Sequence, residues 1–417
     1  MYFLLLSIAI PIIFYTFFCT NIPKGVDDYY LVILFTRLIS INHNIGLCIE
    51  KFFGIKGFNI WQRMFASLLF SIPIRKPKWL TIKEIKIGNV KCRIYIPKGN
   101  KLKYDGGVIF AHGGGWCIME TRYCDFGLYH LIKDLGTVLI SIEYSLSPEV
   151  HFGIAIDELE SVVIDVYNNY YKELNINRDK ISLMGESAGG NLCLAVALRL
   201  TKNRNKIPIK SLVLPYPVTG AYHFLLPSYQ YYYKTYKDSG MLSPDNMARW
   251  ILLYLGLDDI KDCVEIMKRN GHISEKIREN PIFMESFNAK KLIDVVEDVK
   301  YIDKSSIFPP PDERLSNAME KYLLNPEFSP LMSSKEELSL LPPTFVLTSN
   351  YDILRDEGIL FSCKLKESGV TIFHKNYSKA IHGAMTIPIS NAAHEMSRDI
   401  SFFIQNDSLK EKTEKIK

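Results

Sequence analysis

Ser187, His382 and Asp352 are the residues whose types and settings could do chemistry together. Ser187 sits in Gly185-Glu186-Ser187-Ala188-Gly189, between the apolar run Ile181-Ser-Leu-Met and a helix-forming stretch from Ala188 to about Lys202. A serine hydroxyl is a weak nucleophile, so it must stand clear of the backbone where a base can reach it. A sharp strand-to-helix turn does this, and such a turn tolerates little beyond hydrogen beside the serine. That accounts for Gly185 and Gly189, with Gly190 also small. The helix beginning after Ser187 also aims free N–H groups and its positive dipole end at any oxyanion formed there. Taken alone, Gly-x-Ser-x-Gly also fits an ordinary turn, so the weight rests on the rest of the chain.

Upstream, Val108-Ile-Phe-Ala runs straight into His112-Gly113-Gly114-Gly115-Trp116. Three successive glycines leave the backbone bare, so amide N–H groups can converge on one spot. An oxyanion hole requires that close approach. A phosphate-binding glycine loop would need a following Lys-Ser/Thr or a Rossmann spacing, and neither is present. Downstream of the serine the chain must supply a base and an acid, in the order acid then base for this kind of sheet. Of nine histidines, only His374, His382 and His394 lie beyond Asp352. His374 falls in an expected strand and His394 in an expected helix. His382 falls in a loop after a strand, with Gly383 giving room, and is the expected base. The acid belongs at the end of the preceding strand, which points to Asp352. Asp356 is the alternative, and its place in the next helical turn suits capping or pairing better.

These residues need a sheet to hold them. Ile82–Ile87 and Cys92–Ile96 alternate apolar and polar residues about Gly88-Asn89, as a hairpin does. Buried strands are expected at 108–111, 137–144, 181–184, 211–217 and 343–349, and a shorter one at 370–373. Helices are expected at about 155–172, 188–202 and 390–404, and another, after the Tyr351-Asp352 stretch, to about 368. Strand and helix alternate, which implies a mostly parallel sheet covered on both faces, with the loops at one edge carrying the chemistry. Residues 218–336 break the rhythm. They are tyrosine-rich, with a helical run at 246–255 and little strand signal, and read as a cap insertion. The division expected is an anchor at 1–20, a helical cap segment at 21–80, the first part of the core at 81–217, the insertion at 218–336, the second part of the core at 337–407 and a basic tail at 408–417.

A chain of 417 residues that is 47% hydrophobic can bury a large core. The net charge of +5 is spread along the chain apart from the tail, which argues against a nucleic-acid partner. Eight cysteines without a Cys-x-x-Cys pair argue against a zinc site, and no cofactor or metal is expected. Residues 2–20 carry no charge and approach the length of a membrane-spanning helix. A cleaved signal peptide would show a basic start and a small-x-small site, and neither is present. A signal-anchor in the lipid bilayer is therefore expected. Tyr29–Ile39 and Trp61–Phe70 read as amphipathic helices, either packed or resting on a membrane near the site. If the bulk of the chain is luminal, the sequons at Asn376 and Asn406 are candidate glycan sites.

This set of residues resembles the arylacetamide deacetylase group of the hormone-sensitive-lipase-like α/β-hydrolases. The matching stretches are His112-Gly-Gly-Gly-Trp116, Tyr144-Ser-Leu-Ser-Pro148-Glu149 with Asp157, Gly185-Glu-Ser-Ala-Gly189-Gly190-Asn191, Tyr351-Asp352-Ile-Leu-Arg-Asp-Glu-Gly358 and His382-Gly383. The resemblance implies an α/β-hydrolase fold with a mostly parallel central sheet, a helical cap and an N-terminal membrane anchor helix. It implies a single-pass type II protein with its catalytic domain in the endoplasmic reticulum lumen. It also implies Ser187, Asp352 and His382 as triad, and an oxyanion hole at His112, Gly113, Gly114 and Ala188 built from the Gly113, Gly114 and Ala188 amides. One departure stands out. The group's disulfide joins the position of Cys117 to a cysteine just before the Tyr-Asp motif, where this chain has Ser349-Asn350. Cys117 is thus free or paired elsewhere.

The chemistry expected is hydrolysis of an apolar ester or amide through an acyl-enzyme. A ligand-binding protein on a silent hydrolase fold and an acyl transferase are the alternatives. The intact triad disfavours the first, and the second needs an acceptor pocket.

Overall fold

The computed structural model describes residues 22–70, 75–202, 207–220, 223–237, 242–292, 308–387 and 390–406. The anchor expected at 1–20 and the tail at 408–417 lie outside these residues.

An eight-stranded sheet organises the chain: β1 (Leu80–Ile87), β2 (Val90–Pro97), β3 (Gly107–Ala111), β4 (Val138–Ile142), β5 (Ile181–Gly185), β6 (Ser211–Pro215), β7 (Thr344–Tyr351) and β8 (Ile372–Ile381). Their spatial order is β1-β2-β4-β3-β5-β6-β7-β8. The β1–β2 and β2–β4 pairs are antiparallel and the rest are parallel. Gly88 and Asn89 both take positive φ (55° and 65°) in the β1–β2 turn, the conformation such a tight hairpin demands. Every residue of β3, β4, β5 and β6 is buried, so these strands read as unbroken apolar runs.

Helices cover both faces. Numbered in chain order, they are α1 (Tyr29–Phe70), α2 (Asp125–Leu135), α3 (Ile154–Asp165), α4 (Ala188–Lys202), α5 (Pro227–Thr235), α6 (Pro244–Leu255), α7 (Glu313–Leu323), α8 (Arg355–Glu367) and α9 (Asn391–Gln405), with shorter turns between α6 and α7. The helices α3, α4 and α8 bury their apolar sides in one core, and α2 and α9 in the other, on the opposite face of the sheet. Among the described residues between β6 and β7 there are helices and no strand.

Two elements differ from the sequence expectation. The two helices expected at 29–39 and 61–70 are both present but longer: they form the two arms of α1 and meet at Gly54 (φ 66°, ψ −171°), whose backbone is not helical. There the helix folds back on itself. Asn42 Nδ2 donates to Gln62 Oε1 at 2.5 Å, Trp61 Nε1 donates to the Asn42 carbonyl at 3.1 Å, and the rings of His43 and Phe58 lie 5.6 Å apart. The polar residues that interrupt the apolar pattern are thus the ones that join the two arms. The other difference is β8. A strand at 370–373 is expected, with Ala380 and Ile381 in the following loop, yet the strand runs from Ile372 to Ile381. It pairs on one side only, and an edge strand tolerates Lys375, Asn376, Ser378 and Lys379, which disguise it in the sequence.

Candidate active site

Each of the three candidate side chains follows the carboxyl end of a parallel strand: Ser187 after β5, Asp352 after β7 and His382 after β8. Open parallel sheets gather their functional loops at that edge. Ser187 has φ 53°, a left-handed conformation that holds its hydroxyl off the backbone. The tightness of the turn can be seen from its glycines. A Cβ on Gly189 would run into the carbonyl oxygen of Ala111, and one on Gly185 into that of Gly189. The strain is carried by backbone bonds, since Ser187 N–H donates to the Pro215 carbonyl at 3.1 Å and Gly189 N–H to that of Glu186 at 2.8 Å.

His382 Nε2 lies 3.0 Å from Ser187 Oγ, and His382 Nδ1 lies 2.7 Å from Asp352 Oδ2. The other carboxylate oxygen of Asp352 accepts from the Leu354 N–H at 2.9 Å, which fixes the plane of the carboxylate. Asp352 is 2% exposed and Ser187 7%. The register between β7 and β8 slips between Ser349 and Tyr351, where the three residues 349–351 of β7 oppose the five residues 377–381 of β8. Such a bulge re-aims the chain, and here it brings His382 level with Asp352.

Asp356, the alternative acid, faces elsewhere. It pairs with Arg355 Nε at 2.8 Å and accepts the Ser228 N–H at 2.6 Å. His374 lies inside β8 with Nε2 3.0 Å from Thr348 Oγ1, and burial pushes its pKa down to about 4. His394 lies in α9 against His130.

The glycine loop lies over Ser187. A Cβ on Gly113 would be 3.3 Å from the Ser187 Cβ. Gly114 and Gly115 have φ of 107° and 58°, and a Cβ on either would strike the Ile118 carbonyl or the Trp250 ring. The loop is propped from below by Tyr144, whose hydroxyl donates to the His112 carbonyl at 2.8 Å. The His112 ring is fully buried, stacked on Tyr144 at 4.3 Å, with Nδ1 2.8 Å from the Gly113 carbonyl. It therefore shapes the loop, while the Gly113 and Gly114 backbones line the cavity. Across from them Ala188 opens α4, where a first-turn N–H has no intrahelical acceptor.

Residues that the sequence reading passed over complete the site. The Glu186 carboxylate, wholly buried, accepts from the Tyr216 hydroxyl at 2.7 Å, and burial holds its pKa above the usual carboxylate range. The same Tyr216 hydroxyl accepts the Met385 N–H at 3.3 Å, and its ring lies 4.8 Å from that of His382. Tyr216 thus braces the histidine loop against the serine turn. The available signal was its position directly after β6, at the functional edge. Cys117 is buried and free, with Sγ 3.7 Å from the Trp250 carbonyl. Asn376 lies within β8 and accepts from Thr348 Oγ1 at 3.0 Å, while Asn406 is exposed just past α9.

A cavity of about 220 Å³ opens onto Ser187 and His382. Its walls are mostly apolar, with Phe35, Ile39, Phe65 and Leu69 from α1 facing Trp250 and Ile387. Among the described residues no cluster of His, Cys, Asp and Glu is arranged to hold a metal.

Comparison with known proteins bears on the fold and the family. A family model described as the alpha/beta hydrolase fold matches residues 108–273 and 311–386. Arylacetamide deacetylase of Bos taurus is 28% identical over 378 residues, spanning 87% of this chain and 89% of that protein. Neutral cholesterol ester hydrolase 1 of Mus musculus is 30% identical over 294 residues, spanning 67% of each. Among solved structures, an esterase of Pyrobaculum calidifontis superposes with a TM-score of 0.62 at 23% identity, covering 88% of this chain and 96% of that one.

Proposed function

The chain belongs to the alpha/beta hydrolase fold family and is a carboxylic ester hydrolase; from that premise we propose that it is a membrane-anchored serine esterase or deacetylase using Ser187, His382 and Asp352 on apolar acyl substrates. The observation that carries the assignment is the continuous run from Ser187 Oγ through His382 to Asp352, at 3.0 and 2.7 Å.

In this mechanism His382 Nε2 takes the Ser187 proton as Oγ attacks the substrate carbonyl. Asp352 holds the Nδ1–H tautomer and stabilises the imidazolium. The oxyanion is met by the Gly113, Gly114 and Ala188 amides, which need no reorganisation because the glycine loop and the α4 terminus are already in place. His382 then returns the proton to the leaving oxygen or nitrogen, and water, activated by the same imidazole, hydrolyses the acyl-enzyme. The apolar cavity favours esters with aromatic or aliphatic groups. The deacetylase and cholesterol ester hydrolase relatives suggest arylacetamides or lipid esters. The motif set looks most like the like-4 branch of the deacetylase group. The uncharged run at 2–20 supports a signal-anchor and a type II topology with a luminal catalytic domain, in which exposed Asn406 is better placed for a glycan than Asn376.

The test is hydrolysis of nitrophenyl acetate and butyrate by the purified protein beside Ser187→Ala. Loss of about three decades or more in the variant is expected. A loss below roughly tenfold would sink the assignment of Ser187.

A further inference from the structure

Helix α1 is apolar on two opposite sides, and among the described residues only the inner one is packed. Its inner side packs on the hydrolase and lines the cavity through Phe35, Ile39, Ala66 and their neighbours. Its outer side carries Tyr30, Leu34, Leu38, Ile41, Ile45 and Phe52 on the first arm, all exposed. These recur at intervals of three and four, with exposed Cys48 in the same register, so they form one stripe along the helix. On the second arm Ile60, Met64 and Leu68 repeat every fourth residue and are 57%, 59% and 77% exposed. Ten of the sixteen large apolar side chains exposed among the described residues lie in this one element. Monomeric proteins in water seldom display so concentrated a patch, and where they do it marks a binding surface.

We infer that the outer face of α1 lies in the surface of a phospholipid bilayer, with the cavity mouth between its two arms turned toward the lipid. Two further observations select this occupant. The uncharged run at 2–20 ends just before Ile22, so it would hold the chain at a membrane within nine residues of Tyr29. The patch is also flanked by exposed cations: Lys24, Lys51, Lys56, Arg75, Lys76 and Lys78. An apolar stripe with basic flanks suits an interface of acyl chains and anionic headgroups. The helix is long and apolar enough to cross a membrane. Its inner face, however, shares a cavity with Ser187, and its arms fold back at Gly54, so it lies along the surface. Esters dissolved in the bilayer would then reach Ser187 between the arms without crossing water. This last point rests on the esterase reading; the docking itself does not.

The full chain is reconstituted into vesicles of phosphatidylcholine and phosphatidylserine. A fluorophore is placed on Cys48 in a Cys19→Ser/Cys363→Ser background, and, as reference, on Glu173→Cys in the turn after α3 in the same background with Cys48→Ser added. Nitroxide-labelled phosphatidylcholine should quench the Cys48 probe at least ~2-fold more than the reference. Equal quenching overturns the proposal, and so does an unquenched Cys48 probe that cross-links to a second copy. For substrate entry, Ile45→Asp/Met64→Asp should leave nitrophenyl acetate hydrolysis within ~2-fold and lower hydrolysis of a long-chain ester in the vesicle by ~10-fold. Equal losses on both esters overturn the entry route. Wild-type protein inactive on both would count against the esterase reading, and the quenching result would stand apart from it.

Discussion

Arg63, in the second arm of α1, donates through Nε to the carbonyl of Cys117 at 2.6 Å. It also donates through Nη2 to the Ser147 carbonyl at 2.7 Å, and its two terminal nitrogens hold the Glu149 carboxylate. Cys117 closes the turn that begins at Gly114, whose carbonyl accepts the Cys117 N–H. One guanidinium therefore ties the cap to the loop over Ser187. The Glu149 pair is largely exposed and contributes little by itself. The two carbonyl contacts position the loop, so Arg63→Met should lower kcat on nitrophenyl acetate by ~10-fold with KM within ~2-fold. A lower melting temperature with unchanged kcat would show that Arg63 only holds the cap.

Asp352 and Asp356 stand one helical turn apart, both wholly buried, and should respond to the same substitution in opposite ways. Asp352→Asn removes the acceptor that orients His382, and kcat should fall by about 10³–10⁴-fold with the fold retained. Asp356→Asn removes a buried charge that both Arg355 Nε and the Ser228 N–H use, beside an Arg355 side chain that is itself 0% exposed. Its stability should drop by about 3 kcal/mol or more, read by denaturant unfolding. An active Asp352→Asn would transfer the acid role elsewhere.

Gly113→Ala separates folding from chemistry. Gly113 has no positive φ, and the added methyl would meet its neighbours at 3.3 Å, tight but without collision. One of those neighbours is Ser187 Cβ, so the methyl would narrow the space above the Ser187 hydroxyl. The variant should fold with a near wild-type melting temperature and lose ~10²-fold in kcat, the scale of losing one oxyanion donor. Full activity would place the oxyanion hole away from Gly113.

Glu357 sets a pH dependence of stability. It is fully buried at the start of α8, accepting the Thr219 N–H at 2.7 Å and the Gly220 N–H at 3.3 Å, and burial pushes its pKa up to about 8. An unfolded glutamate titrates near ~4.3. Between these values the folded chain holds the extra proton, so stability falls as pH rises from about 4.3 to about 8. Glu357→Gln should flatten that decline by at least ~1 kcal/mol, taken as the difference between wild type and variant across the window. His223 and His374, which burial pushes down to about 4, act below ~6.5 with the opposite sign and cancel in that difference. Parallel curves would contradict the prediction.

The features legible in the sequence are those decided by local sterics and by strand order. The turn around Ser187 shows itself because Gly189 must pass the Ala111 carbonyl where no side chain fits. The glycine loop shows itself because Gly114 and Gly115 adopt positive φ. The parallel core is visible because β3 to β6 are buried on both faces and so are uniformly apolar. The positions of Asp352 and His382 follow from the succession of strand and helix.

Only the tertiary structure decided how those pieces meet. The length of β8 is masked by polar residues that an edge strand accepts, and the bulge that sets His382 beside Asp352 depends on pairing between strands rather than on either one. The course of α1 depends on Asn42 finding Gln62, and the contacts of Arg63 and Tyr216 join residues tens to hundreds of positions apart. A residue's type limits which bonds it can make. Which partner it finds depends on the path of the whole chain, because a hydrogen bond or a packed contact is a relation between distant segments that neither segment encodes alone.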